Sequence, residues 1–204
     1  MNHPDFTQLR CLVDSAITFN DLKAARRLIS QGLKMAKEKE ILSEQMFFYA
    51  QKEIINECFE KAIEYLDKAI KYNPKDAAAY NDRALCMIEL GIIEGPMKYF
   101  NKGIEVEPGY DTVYHNKGWF LNKLGQHREA LVFLEKALEI NSDRAVTYEN
   151  IANVYENLGD INLAVVAYCK ALDLIDYPFK HIRKQINFEI SRLQKLKDER
   201  ESLH

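Results

Sequence analysis

The sequence has no long apolar run, no closely spaced cysteine pair and none of the common catalytic motifs. Its four cysteines form no C-x-x-C pair and no zinc-binding spacing, so we expect reduced thiols and no metal site. No apolar stretch is long enough to cross a bilayer, and the first residues lack the basic head and apolar core of a signal peptide. We therefore expect a cytoplasmic protein with no membrane partner.

An excess of charge of either sign is also missing. Lys and Arg number 28 against 31 for Asp and Glu, which leaves a net charge of −3 and an isoelectric point near 6.0. Proteins that coat nucleic acid are basic, so no nucleic-acid partner is predicted. Hydrophobic residues make up 47% of the chain, which is ample for a folded core.

Residues suited to catalysis are few and scattered. None of the five histidines belongs to an H-E-x-x-H motif, and the sequence contains no G-x-S-x-G, P-loop or G-x-G-x-x-G motif. We therefore predict that the protein is not an enzyme and has neither catalytic residues nor a cofactor.

What the sequence does contain is a repeat. Corresponding residues recur at a fixed interval of 34, namely Tyr80, Tyr114 and Tyr148, and Gly91, Gly125 and Gly159. Each interval holds two segments with helical periodicity, joined at a turn. A fixed period of this length is typical of stacked helical hairpins.

The repeat divides the chain into five units and a terminal helix, all within one predicted domain, 1–204. A degenerate hairpin covers 6–39, and further units cover 43–76, 77–110, 111–144 and 145–178, with a short insertion at 39–42. In the third unit Pro96 stands where other units have alanine, so we expect its second helix to start late, near Gly95 or Pro96.

The last segment, 179–201, is predicted to form an amphipathic helix. A stack of hairpins needs a polar outer end, so we interpret this segment as a capping helix. A membrane-surface helix is the alternative, since the segment is rich in Lys and Arg. Acidic residues interleave with the basic ones, which favours a solvated face.

Several features together resemble the tetratricopeptide repeat family. The resemblance rests on the first-helix tyrosines, on Leu-Gly turns at 90–91, 124–125 and 158–159, and on alanines seven residues apart, as at Ala130 and Ala137. It implies an all-α fold, a right-handed α-solenoid of antiparallel helix pairs with a C-terminal capping helix. It also implies a non-enzymatic scaffold or adaptor that binds an extended or helical segment of a partner protein. The family's binding groove is concave and lined by the first helices of the hairpins.

Helical geometry indicates which side chains would line that groove. The predicted partner-binding residues are Phe47 and Phe48; Asn81, Asp82 and Leu85; His115, Asn116, Trp119, Asn122 and Lys123; and Glu149, Asn150 and Asn153.

The asparagines, the tryptophan and the two phenylalanines among these residues suggest how a peptide would bind. The asparagines are a candidate ladder that clamps a peptide backbone, because each side chain carries both donors and an acceptor; ordinary polar surface is the alternative. Trp119, the single tryptophan, is a candidate apolar anchor. Phe47 and Phe48 either form a second apolar pocket or pack on the first hairpin.

The ionisable residues on this face predict the charge of the partner. Five acids outnumber two bases, so a neutral or basic peptide with an apolar anchor residue is expected: Asp14, Asp82, Glu89, Glu149 and Glu156 against Arg10 and Lys123. Some tetratricopeptide co-chaperones instead bind acidic chaperone tails through a two-carboxylate clamp. The basic residues of that clamp are missing here, so such tails are not expected to bind.

Two alternatives to a monomeric adaptor stay open. The stack could self-associate through an apolar end and form a homodimer, as a structural assembly module. It could also be a small secretion-type chaperone, a class that resembles this chain but usually has three repeats.

Overall fold

The computed structural model describes residues 5–175 and 180–201, which form eleven α-helices and no strand. They are α1 (Phe6–Thr18), α2 (Leu22–Glu38), α3 (Leu42–Ile54), α4 (Phe59–Tyr72), α5 (Ala77–Glu89), α6 (Pro96–Val106), α7 (Asp111–Lys123), α8 (His127–Ile140), α9 (Ala145–Leu158), α10 (Ile161–Leu174) and α11 (Lys180–Glu201). Short turns join α1 to α2, α3 to α4, and so on in pairs, which confirms the predicted all-α class of helical hairpins. Within this part of the chain, no helix combines the length and apolar character that a bilayer span requires.

Aspartates begin four of the helices. The side chains of Asp5, Asp21, Asp76 and Asp160 each accept a hydrogen bond from the backbone N–H three residues later, at 2.8 to 3.1 Å. These bonds satisfy donors that the first helical turn would otherwise leave unpaired. The starts of α1, α2, α5 and α10 are therefore specified by local sequence.

The turns inside the hairpins require a residue in the left-handed region. Gly91, Gly125 and Gly159 fill this place with φ of 75°, 78° and 81°. Glycine has no Cβ and adopts this conformation without a steric penalty. The first two hairpins use Asn20 and Glu57 instead, with φ of 56° and 57°. The turn at Glu57 therefore keeps the same backbone geometry under strain.

The chain folds as two compact units, residues 1–108 and 109–204. Unit 1 holds α1–α6, and one of its cores is built from Leu9, Val13, Ile29 and Phe48. The extra length predicted as an insertion at 39–42 lies instead in α2, which has 17 residues against 14 in α4, and residues 39–41 form the turn to α3. The assignment of both units to one domain, 1–204, stays a prediction.

The last hairpin of unit 1 is irregular, and its second helix begins late as predicted. α6 starts at Pro96 and has 11 residues, with Gly95 as N-cap at φ 111°. Proline is favoured at this first position because its missing N–H would have no helical partner there. A Cβ on Gly95 would also lie 2.7 Å from Cε of Met87, so packing and backbone both require glycine.

Unit 2 holds α7–α10 and the long helix α11. The small residues predicted on the inner faces of α8 and α10 are fully buried: Ala130, Ala137, Ala164 and Ala171. Gly118 on α7 lies against α8, where an added Cβ would come within 2.7 Å of Leu134 Cγ. Small residues thus let the helix axes approach closely, as the repeat pattern predicts.

The predicted capping helix is confirmed as α11, which packs on α10. Its buried residues are Ile186, Ile190 and Leu193. Arg183 donates from Nη1 to the carbonyl oxygens of Leu172 and Ile175, at 2.6 and 2.7 Å, and so satisfies unpaired groups at the end of α10. The predicted start of the cap at 179 and the end of the fifth unit at 178 lie outside the described residues.

Candidate functional site

The residues predicted to contact a partner fall on both units. In unit 2 they lie on α7 and α9, and we call this set the unit 2 face: His115, Asn116, Trp119, Asn122, Lys123, Glu149, Asn150 and Asn153. The remaining five, Phe47, Phe48, Asn81, Asp82 and Leu85, lie on α3 and α5 of unit 1.

Hydrogen bonds join α7 to α9 at one end of the unit 2 face. His115 Nδ1 lies 2.9 Å from Thr147 Oγ1, and Asn150 Nδ2 lies 3.3 Å from His115 Nε2. Because the amide nitrogen of Asn150 can only donate, Nε2 accepts and the ring proton belongs on Nδ1, which donates to Thr147. His115 is 6% exposed, so its predicted role as a partner contact is wrong: it is part of the packing between the two helices.

This histidine stays neutral across the physiological range. Burial, together with a smaller effect of the nearby charge of Arg144, lowers the pKa of His115 to about 3. Arg144 itself is held by Asp111 Oδ2 at 3.0 Å and Thr112 Oγ1 at 2.8 Å. His115 therefore does not act as a titratable group for a ligand near neutral pH.

A second group of polar contacts joins α7 and α9 at their other ends. Asn157 Nδ2 donates to Asn122 Oδ1 at 3.1 Å, and His127 Nδ1 lies 2.7 Å from the same oxygen. Asn122 and Asn150 thus have a structural role that the sequence did not predict, in addition to any role in binding. A carboxamide has two N–H donors and one acceptor oxygen, so these contacts do not exhaust its hydrogen-bonding capacity.

Trp119 is partly exposed between these two groups of contacts. The Nζ of Lys123, one helical turn further on, lies 4.3 Å from the indole centroid. A cation over an indole face is attracted by the ring quadrupole, which fixes the orientation of both side chains. Trp119 and Lys123 therefore form a preorganised surface that combines an apolar ring with a positive charge.

Side chains of α10 and α11 form hydrogen bonds with residues of α9 at the edge of the unit 2 face. The hydroxyl of Tyr168 lies 2.8 Å from Asn153 Oδ1 and 2.8 Å from Glu156 Oε1. The other carboxylate oxygen of Glu156 accepts a hydrogen bond from Arg192 of the capping helix. Burial raises the pKa of Glu149, and the charge of Glu189 on α11 raises it further. These contacts make Glu156 and Asn153 supports of the capping helix.

In unit 1, the charge of Arg10, a basic residue predicted to line the groove, is balanced by acidic partners. The guanidinium of Arg10 on α1 forms paired hydrogen bonds with Glu44 at 3.1 Å and with Asp76 at 2.8 and 2.9 Å. It also lies 3.7 Å from the ring centroid of Phe47. Arg10 therefore ties α1 to α3 and to the residue that caps α5, and it is not available to a ligand.

The proposal of a second apolar pocket at Phe47 and Phe48 is wrong. Phe47 is 4% exposed and Phe48 is fully buried, where it packs with Leu9, Val13 and Ile29 of the first hairpin. The alternative interpretation, packing on that hairpin, holds for Phe48. Phe47 lies beneath Arg10, with its ring edge-on to Phe48 at 5.8 Å between centroids.

Asp82 and Asn81 are also largely removed from solvent. Asn81 is 2% exposed, and its Nδ2 donates to Asp82 Oδ1 at 3.0 Å, while Gln51 donates to Oδ2. Burial raises the pKa of the Asp82 carboxyl to about 7, with smaller contributions from the charges of Asp14 and Asp76. Leu85, on the same helix, is half-buried.

The predicted excess of negative charge shrinks once these contacts are included. Glu156 is paired with Arg192, Arg10 is paired with two acids, and a carboxyl with a pKa near 7, Asp82, is largely neutral below that pH. The formal count treated each group as isolated. The residues in contact are spaced by about one repeat, as in Arg10 with Glu44 and Asn122 with Asn157. Polar pairs separated by about 34 residues were the signal that could have revealed these contacts.

Metal binding has no support in the described side chains. Across residues 5–175 and 180–201, no group of three or more His, Cys, Asp or Glu is arranged to hold an ion.

Comparisons with known proteins agree with this architecture. A tetratricopeptide repeat family model matches residues 59–76, 111–144 and 145–176. The hairpin α5–α6 lies between the matched segments, where Pro96 and Gly103 depart from the regular pattern. The comparison with curated protein sequences gave no significant match.

Solved structures with the same fold include three tetratricopeptide repeat proteins of similar length. TTC0263 from Thermus thermophilus is 18% identical, with 91% of this chain and 98% of that chain covered and a TM-score of 0.70. MamA is 22% identical, with coverage of 82% and 90% and a TM-score of 0.58. YrrB, described as a TPR protein with an unusual peptide-binding site, is 15% identical, with coverage of 90% and 92% and a TM-score of 0.58. The chain therefore contains tetratricopeptide repeats at the matched segments and has the fold of these solenoid proteins.

Proposed function

We propose that this protein is a non-enzymatic, cytoplasmic adaptor that binds a peptide segment of a partner protein on the unit 2 face. The observation that carries the proposal is the partly exposed Trp119 with Lys123 held over its ring. A partly exposed tryptophan whose ring is held by a neighbouring cation loses little entropy on binding, and tryptophans often dominate interface energies. The fold supports a role in protein interaction, and YrrB is described as a protein of this architecture with a peptide-binding site.

Amide groups beside Trp119 supply the second element of the proposed site. Asn116 lies one turn before the indole on α7, and Asn122 lies three residues after it. Asn150 reaches the same helix from α9 through His115. Carboxamides at these places are able to pair with the backbone of an extended peptide whatever its side chains are.

The charges favour a neutral segment over a strongly basic one. Near the unit 2 face, Glu156 on α9 is paired with Arg192, and Lys123 lies beside the proposed anchor Trp119. Burial raises the pKa of Glu149, and the charge of Glu189 on α11 adds to the shift. We therefore propose that the partner offers an apolar side chain to Trp119 within a neutral stretch, and that unit 1 residues Asn81, Asp82 and Leu85 are secondary.

A peptide selection with a fluorescence readout tests this proposal. Peptides selected from a random display library on the wild-type chain are titrated while the emission of Trp119 is recorded, because no other tryptophan contributes. Selected peptides are expected to shift that emission and to share an apolar residue. Because Trp119→Ala/Asn116→Ala has no tryptophan, its binding is measured by the anisotropy of fluorescein-labelled peptides and should be at least about tenfold weaker.

The matched control is Val132→Ala/Val166→Ala, which removes two exposed side chains of α8 and α10 in the same unit. Both double variants are first checked for unchanged helicity by circular dichroism. The unit 2 face is not the site if the selected peptides bind the Trp119 variant as tightly as the wild type. The same conclusion follows if only the valine variant loses affinity for them.

Self-association is the second candidate function, and one observation favours it. Phe188 on α11 is 65% exposed, an unusual position for a phenylalanine in a terminal helix. Light scattering coupled to size exclusion would show a dimer for the wild type and a monomer for Phe188→Glu. A monomeric wild type at high concentration would rule this candidate out.

A further inference from the structure

Unit 1 contains a cavity of about 270 Å³ between α2 and α3, on residues that the proposed adaptor function does not use. Its apolar lining is Ile29, Leu33 and Ile55. Its polar lining is Arg26, Ser30, Lys52 and Asn56. We call this site the α2–α3 cavity. Small-molecule sites usually measure roughly 300–1,000 Å³, so a cavity of this size suits a single side chain.

The apolar lining is rigid because it is the outer surface of a packed core. Ile29 is 2% exposed and packs with Phe48, and Leu33 and Ile55 pack against the same cluster. Phe48 in turn fills the space left by Gly32, where an added Cβ would lie 2.4 Å from the ring. A preformed apolar surface of this kind binds an aliphatic side chain without reorganising.

The polar lining is positively charged. Arg26 and Lys52 are both exposed at the cavity, and within residues 5–175 and 180–201 neither has an ion-pair partner. Ser30 and Asn56 add a hydroxyl and an amide at the same rim. α2 as a whole carries five basic residues and one acid, in a chain whose net charge is −3. The cavity is thus the apolar centre of a basic surface.

We propose that the α2–α3 cavity binds an aliphatic side chain of a partner peptide whose neighbouring residues are acidic. The aliphatic side chain packs on Ile29 and Ile55, and the flanking carboxylates pair with Arg26 and Lys52. Apolar anchoring gives affinity, and the charge complementarity selects the partner and speeds encounter. This site lies between the second helix of the first hairpin and the first helix of the next, and it does not depend on the unit 2 face.

The test uses a fluorescein-labelled synthetic peptide with one leucine flanked on each side by two glutamates. Fluorescence anisotropy measures its binding to the full chain at low salt. Two control peptides replace the leucine by alanine or the glutamates by lysines. We expect binding of the acidic leucine peptide only, and a loss of at least about tenfold for either control.

Charge-reversal variants of the protein locate the site. Arg26→Glu/Lys52→Glu should abolish binding, whereas Arg27→Glu/Lys34→Glu changes the same net charge on exposed residues outside the cavity and should keep most of it. Ser30→Phe fills the cavity without changing charge and should also weaken the peptide at least about tenfold.

Three outcomes would overturn the proposal: no binding of the acidic leucine peptide, equal loss in both charge-reversal variants, or equal binding of the alanine peptide. The second outcome would identify a general attraction of acidic peptides to α2. Because Trp119 lies in the other unit, its emission should not respond to this peptide, so failure here is distinguishable from failure of the unit 2 proposal.

Discussion

Replacing Gly118 by alanine sets two effects of opposite sign against each other in a helix interior. Gly118 lies in the middle of α7, where alanine is the better helix former by about 0.5–1 kcal/mol. A Cβ at this position would lie 2.7 Å from Leu134 Cγ and 3.0 Å from the carbonyl oxygen of Ala130. The first contact is shorter than packed carbon atoms tolerate, and the second involves backbone that cannot rotate away.

The packing penalty is expected to dominate. Adding a methyl group to a close-packed core costs about 1–3 kcal/mol, because neighbouring side chains must leave their preferred rotamers. Leu134 is fully buried, so it has little room to move. Subtracting the gain in helix propensity from the middle of that range, we expect Gly118→Ala to lower the free energy of unfolding by about 1 kcal/mol.

Urea unfolding followed by the emission of Trp119 measures this change in unit 2 alone, since the chain has one tryptophan. The transition midpoint is compared, because the neighbouring substitution also alters the baseline of the emission. Gly109→Ala is the matched control. No atom lies within 4 Å of a Cβ added there, and its φ is not in the left-handed region, so this variant should be neutral or slightly stabilising.

A second background decides whether the clash is the cause. In Leu134→Ala the side-chain atoms next to the new Cβ are gone and only the carbonyl oxygen of Ala130 remains at 3.0 Å, so Gly118→Ala should lose part of its penalty there. An equal penalty in both backgrounds would refute the role of Leu134 and leave the Ala130 carbonyl as the cause, and a Gly118→Ala variant as stable as the wild type would refute the argument that close helix approach requires glycine at this place.

Three further changes test other parts of the fold. Glu57→Gly should raise the stability of unit 1 by about 0.5–1 kcal/mol, because Glu57 has a strained backbone with φ of 57°. Urea unfolding followed by circular dichroism measures this change, and a loss of stability would show that the backbone at Glu57 is not strained. Arg10→Ala should lower the free energy of unfolding by about 3 kcal/mol in the same assay, because it leaves the buried carboxylate of Asp76 without a cationic partner. Loss of an exposed ion pair would lower it by less than about 1 kcal/mol. Asp82 has a pKa raised from 3.8 to about 7, so the folded state binds its proton more tightly and its contribution to stability falls as pH rises from about 4 to 7. The stability of Asp82→Asn relative to wild type should therefore rise across that window, and a constant difference would show that the carboxyl is not shifted.

The helices and turns could be predicted because their signals are local. A left-handed turn needs glycine, proline is tolerated at a helix start, and alanines mark close contact, so the period of 34 and the late start of α6 follow from neighbouring residues. Even the turn at Glu57, which lacks glycine, adopts the same left-handed geometry as the glycine turns.

The orientation of side chains on the first hairpins could not be predicted in the same way. Phe47 and Phe48 are adjacent on α3, and helical geometry alone does not predict which of the two side chains is buried. Their burial depends on Gly32, which makes room for one ring, and on Arg10, which covers the other. These contacts join residues that are distant in a degenerate part of the repeat, where the regular marks are absent.

The charge of the partner was the weakest inference from sequence, for a physical reason. Residues about one period apart on successive first helices face each other, so Arg10 meets Glu44 and their formal charges cancel where a ligand would bind. On α2, the exposed Arg26 has no such partner among the described residues and lies beside an apolar cavity.

The two proposed sites should therefore respond differently to ionic strength. Salt screens exposed charges over about 8 Å at 0.15 M, so binding at the α2–α3 cavity should weaken steeply with salt. Binding through the indole of Trp119 should change little, because burial of apolar surface does not depend on screening.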